Sequence, residues 1–218
     1  MHLVALLLFL GCSATAAEDT TPPVPAEAVR TRTWTAPAAD ARGPDLIRGD
    51  APFLDLSVTA APQLRPADVE GLAGSALLES RRGLRLSGHP LGIVGAKAIG
   101  ASHHLGRLEV LELDRCGLGD SGARAIGYSR RLGSLRELDL GGNDLGHHAV
   151  LALAGADFVG DLVILDIAGA RPEPDGARSL SAALTAIEIL RIDAELPAEA
   201  RAALEAGLGD RVSALVVE

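Results

Sequence analysis

The chain has 218 residues, a formal net charge of −9 and only 2% aromatic residues. The acidic balance argues against nucleic acid as a partner, because phosphate binding needs Lys and Arg gathered on one face. With so few rings, a core built around large aromatic side chains is excluded, and Leu, Ile, Val and Ala must fill the interior.

The first predicted element is the apolar run His2 to Leu10, too short to span a bilayer as a mature helix. Small residues follow it, so residues 1–17 read as a signal peptide. Two processing readings stand side by side. Ala14-Thr15-Ala16 fits an A-x-A cleavage site, whereas Leu8-Phe9-Leu10-Gly11-Cys12 resembles a bacterial lipobox in its closing Gly-Cys, with lipidation expected at Cys12. Both readings predict an exported protein, lipid-anchored in the cell envelope or secreted. The only other cysteine is Cys116, so loss or lipidation of Cys12 leaves no pair for an intramolecular disulfide. Residues 18–50 carry Pro22, Pro23, Pro25, Pro37 and Pro44 among Thr, Ala and charged residues without an apolar period, which predicts a disordered or polyproline-like arm.

From residue 51 to 218 the chain repeats itself. Leu108, Leu111, Leu113, Cys116 and Leu118 form L-x-x-L-x-L-x-x-C-x-L. Leu135, Leu138, Leu140, Asn143 and Leu145 restate it, each 27 residues later. This is the spacing of a leucine-rich repeat. Leu84, Leu86, His89 and Leu91 lie 27 before the first statement, and Leu162, Leu165 and Ile167 lie 27 after the second. Ile187, Leu190 and Ile192 follow 25 later, and Val212, Leu215 and Val217 another 25 later. Residues 51–80 read as a diverged first repeat, as a terminal cap should be. About seven repeats are expected.

Between the strands, helices are predicted over Pro66–Glu79, Gly95–Ala101, Gly122–Ser129, His147–Ala156, Asp175–Ala186 and Pro197–Gly207, with Val69, Leu72, Ala76 and Leu77 on the buried face of the first. Leu105, Leu132, Val159 and Ala186 recur at 27 and are expected inside, while Asp120 and Asp175 stand where a side-chain oxygen could cap a helix start. The expected fold is an α/β leucine-rich-repeat solenoid, with parallel strands on the concave face and short helices on the convex face. The long repeat and the phrase CGLGDSGARAIG, residues 116–127, resemble the ribonuclease-inhibitor type of these repeats. That resemblance implies a non-enzymatic, protein-binding surface but transfers no partner. The Cys/Asn position holds Thr59, His89 and Ala170 in other repeats, so its loop hydrogen bond is expected to be missing or remade there.

Three motifs reduce to the repeat. Gly117, Gly119 and Gly122 match G-x-G-x-x-G, but one period on the slots hold Asp144, Gly146 and Ala149. The glycines therefore read as turn formers, and no cofactor is expected. Cys116 falls at an inward position and reads as a small packed hydrophobe. The pairs His103-His104 and His147-His148 read as surface histidines at helix ends, because neighbouring side chains diverge and no converging ligand set accompanies them. No metal site and no catalytic residue is expected.

The outward strand positions carry the functional expectation. The column between the leucines reads Asp55, Arg85, Glu112, Asp139, Asp166, Arg191 and Val216. Glu112, Asp139 and Asp166 should form an acidic ladder, with Asp114 and Glu137 beside it and Arg85 and Arg191 bracketing it. Strands lie about 4.8 Å apart, and like charges at that spacing repel by roughly 0.9 kcal/mol in water. A basic partner would relieve the repulsion, and Val110, Ile164 and Ile189 should add exposed apolar contacts. The concave acidic face is thus the expected protein-binding site of a tethered scaffold. The alternative is a soluble intracellular inhibitor or regulatory subunit of another protein. The final strand, with no cap after it, suggests self-association through an open edge.

Overall fold

The computed structural model describes residues 52–57, 63–193 and 196–209, and the backbone of 214–217. The expected signal peptide with Cys12, the proline-rich arm and Thr59 lie outside the described residues.

Seven strands form one parallel sheet in chain order: β1 (Phe53–Asp55), β2 (Gly83–Arg85), β3 (Val110–Glu112), β4 (Glu137–Asp139), β5 (Ile164–Asp166), β6 (Ile189–Ile192) and β7 (Ala214–Val217). Among the described residues six helices alternate with them: α1 (Pro66–Ala73), α2 (Gly92–Ala101), α3 (Gly119–Gly127), α4 (His147–Ala154), α5 (Pro174–Ala183) and α6 (Ala198–Leu208). Every crossover from a strand through a helix reaches the adjacent strand, which is the α/β leucine-rich-repeat solenoid. Among the described residues no helix is long and apolar enough to cross a membrane.

The register follows the sequence period. Leu84 pairs with Leu111, Leu111 with Leu138, and Leu138 with Leu165, so equivalent leucines stack in columns. A second column, Leu56, Leu86, Leu113, Leu140, Ile167 and Ile192, is fully buried. Burying a leucine contributes about 1.5–3 kcal/mol, which is how helices of eight to eleven residues persist where isolated ones would be marginal. On the convex side small residues let the helices approach. A Cβ at Gly100 on α2 would lie 2.3 Å from the Ala125 carbonyl oxygen of α3.

Several expectations need correction. In the first repeat the helix ends at Ala73, and a 3-10 turn (Ala76–Leu78) follows. That change of helical period puts Leu78 in the core and leaves Leu77 52% exposed. The repeat shortens to 25 after β5, so Leu184 takes the buried slot expected for Ala186, which is exposed. Helices α2 and α3 start three residues earlier than expected, at Gly92 and Gly119. Both glycines adopt left-handed φ and donate their N–H to Cys116 and Asn143 of the next repeat, so the stack sets the helix start. Asp120 and Asp175 lie inside first turns and cap nothing in their own helices. Asp120 instead accepts the Gly146 N–H at 2.6 Å, from the residue that precedes α4.

Candidate functional site: the concave face and the loops that hold it

The strand register places the predicted column side by side: Asp55 on Arg85, Arg85 on Glu112, Glu112 on Asp139, Asp139 on Asp166, and Asp166 on Arg191. The two arginines do more than bracket the ladder. Arg85 donates from Nη1 to Asp55 Oδ2 at 2.9 Å and from Nη2 to Glu112 Oε1 at 2.9 Å, with its Nε also on Glu112. Those contacts, the Glu112 bond first, raise the Arg85 pKa and keep it charged. Arg191 reaches Asp166 Oδ2 at 3.3 Å. Asp114 pairs with Arg115 at 2.8 Å on the strand-to-helix side.

Asp139 is left between these pairs. Its Oδ1 accepts the Gly141 N–H at 2.9 Å, and among the described residues no arginine or lysine pairs with it. Burial lifts its carboxyl to a pKa of about 7, helped by the charges of Asp166, Asp114 and Glu112 and opposed by the Gly141 bond. The Asp139 and Asp166 carboxylates converge over Gly141, where a Cβ would meet Asp166 Oδ1 at 3.1 Å and Asp139 Oδ1 at 3.3 Å. Glycine is what leaves that approach open. Glu137 lies one position before the column on β4, half-buried. A depression of about 410 Å³ opens beside the ladder, lined among others by Asp55, Arg85, Ser87, Glu112 and Asp114. The face is less exposed than an outward column suggests, since the Asp55 and Asp166 side chains are each only 14% exposed.

The apolar part of the expectation fails at Val110, which is 4% exposed, while Ile164 and Ile189 are half-buried. The Phe53 ring folds over Gly83, where a Cβ would come within 2.0 Å of it, so the start of the sheet is covered by its own side chains.

The strand-to-helix loops are held by the Cys/Asn slot. Asn143, 1% exposed, accepts the N–H groups of Cys116 (2.8 Å) and Leu118 (3.2 Å) on Oδ1. Its Nδ2 donates to the carbonyls of Leu113 (2.8 Å) and Leu140 (2.9 Å). One amide thus serves two repeats with both donors and acceptors. Cys116 fills the slot more weakly, with Sγ 3.2 Å from the Leu86 carbonyl, and burial pushes its thiol up to about 12, far from a reactive thiolate. His89 remakes the staple: Nε2 donates to the Leu56 carbonyl at 2.5 Å, and Nδ1 accepts the Leu64 N–H at 3.1 Å. Ala170 has no polar side-chain atom to offer.

The first two glycines of the motif form the turn, as expected, whereas Gly122 lies buried inside α3, where a Cβ would meet Leu118 Cβ at 2.8 Å. Gly117 and Gly119 are left-handed at φ 64 and 57, and Asp144, one period after Gly117, keeps the same conformation at φ 51. His103 and His148 are exposed. His104 pairs with Glu79 at 2.8 Å. His147 departs from the surface reading. At the start of α4 its ring lies beside Glu173 and Asp175 of the next repeat, and one ligand atom of each falls within 4.8 Å of the others. Both ring nitrogens are already engaged, Nδ1 by the Glu173 N–H at 3.4 Å and Nε2 by Asp175 at 3.7 Å. Sequence reasoning missed this group because its members come from different repeats, 26 and 28 residues apart.

Repeat, register and loop staple together are those of a leucine-rich-repeat fold. Residues 108–127 and 134–154 match the leucine-rich repeat family, the two stretches in which the periodic pattern is most regular. No curated protein matches the chain. Leucine-rich repeats suggest a protein-binding scaffold.

Proposed function

We propose that the concave face binds a basic segment of a partner protein, with Asp139 as the central contact and Glu112, Asp114, Glu137 and Asp166 around it. The supporting observation is the charge pattern along the sheet. Arg85 and Arg191 neutralise the ends of the column, and among the described residues the middle carboxylate has no cation of its own. A lysine or arginine from a partner would supply it. The test is calorimetric titration of the full chain with an arginine–glycine peptide at two salt concentrations. Asp139→Asn is expected to weaken binding about threefold, the effect of losing one partly screened pair. Asp157→Asn, at an exposed site elsewhere, should leave it unchanged. Equal effects of the two variants would mean attraction to net charge alone and would defeat the proposal.

We also propose export and tethering through Cys12, supported by the apolar run and the Gly11-Cys12 junction. Intact mass of the mature protein after membrane fractionation tests this. A lipid-modified Cys12 in the membrane fraction supports it, and an unprocessed chain in the cytosol overturns it in favour of a soluble regulator. Self-association through β7, which among the described residues pairs in the sheet with β6 alone, is the remaining element of the reading. A strictly monomeric species in light scattering at high concentration would remove it.

A further inference from the structure

Among the described residues of the slot that staples successive repeats, His89 is the one whose side chain can take up a proton in mild acid, and it is 0% exposed. Its ring joins Leu56, after β1, to Leu64, just before α1. Both contacts require the neutral ring with its proton on Nε2. A second proton would sit on Nδ1 and face the Leu64 N–H, donor against donor. The equivalent slot two periods on, at Asn143, uses an amide that cannot be protonated at any ordinary pH. We propose that His89 is an acid-sensitive latch that holds the first repeat on the stack and releases it when the ring is protonated.

Among the described residues no free counter-charge acts on the ring to prevent this. Burial lowers the ring's pKa, and the Leu56 carbonyl opposes the shift only in part. From the first repeat, Asp55 is engaged with Arg85, and Arg65 with Asp68 at 3.0 Å. The intervening stretch Val58-Thr59-Ala60-Ala61-Pro62 contains no titratable residue. From the third repeat, the thiol of Cys116 stays neutral, and Asp114 is paired with Arg115. Because the docked ring binds its proton more weakly than a free one, the contribution of the latch is complete above the free-histidine pKa of about 6.5. It is lost as pH falls below that value toward the folded-state pKa. Release of β1 would also take Asp55 from Arg85, so the acid end of the concave column changes with the latch. The latch acts within the chain itself and needs no bound partner.

The test is amide exchange of the full chain between pH 5 and 7.5, with each rate divided by its intrinsic value. The opening constant of the Leu64 amide should rise by up to tenfold per pH unit below about 6.5, one proton being taken up on opening. The Cys116 amide, held by Asn143, should show no such slope. His89→Asn should abolish the Leu64 slope. A flat Leu64 profile in the natural chain, or the same slope in His89→Asn, overturns the proposal. If that variant does not fold, the His89 ring-proton titration decides. A midpoint below 6.5 that coincides with loss of Leu64 protection supports the latch, and titration at or above 6.5 refutes it.

Discussion

Replacing Asn143 by alanine removes a side chain that serves two loops at once. The Cys116 and Leu118 amides lose their acceptor inside the protein, and the Leu113 and Leu140 carbonyls lose a donor. A buried donor left unsatisfied costs about 1–3 kcal/mol. Two such donors predict a loss of roughly 4 kcal/mol, allowing for some relaxation of the loops. For a domain of this size that corresponds to a fall in Tm of about 8–16 °C. Thermal unfolding by circular dichroism measures it directly. Asn143→Cys, which copies the neighbouring Cys116, should lose less, because a thiol keeps a weak donor in the slot. A loss below about 1 kcal/mol for Asn143→Ala would refute the reasoning, since it would mean that the loops satisfy their amides without the staple.

Three further outcomes follow from local geometry. Gly100→Ala should lower stability by about 1–2 kcal/mol in chemical denaturation, because its Cβ would stand 2.3 Å from the Ala125 carbonyl oxygen. Gly106→Ala, with open space around it, should stay within about 0.5 kcal/mol. Arg115, at φ 51, occupies a slot held by left-handed glycines at 88, 142 and 169. Arg115→Gly should therefore be more stable than Arg115→Ala by about 1 kcal/mol, the reverse of the order inside a helix. Asp139 has a folded pKa near 7, above its ordinary value of 3.8. Its contribution to stability is complete below the ordinary value and is lost as pH rises through 7. Asp139→Asn should flatten that part of the stability–pH curve and gain on the order of 2 kcal/mol at pH 8, after allowance for solvent screening. An unchanged curve in the pH series would show that Asp139 ionises without cost.

The 27-residue period carries most of the fold by itself, because a side chain that recurs at fixed spacing can be buried only by stacking on its equivalents. Leu111, Leu138 and Leu165 meet in the register that their spacing predicts, and so do Glu112, Asp139 and Asp166. The membership of the acidic column was legible for the same reason. Three things depended on the tertiary structure. Helix starts are set by bonds from Gly92 and Gly119 to the next repeat, which no local preference announces. The pairing of Arg85 with two acids and of Arg191 with one, which isolates Asp139, depends on where long side chains reach across a curved sheet. The roles of His89 and His147 arise from partners in other repeats, some 25 to 33 residues away. Periodicity states which residues lie on one face. Only the packed loops decide which atoms of that face are satisfied, and the chemistry lies in the ones that are not.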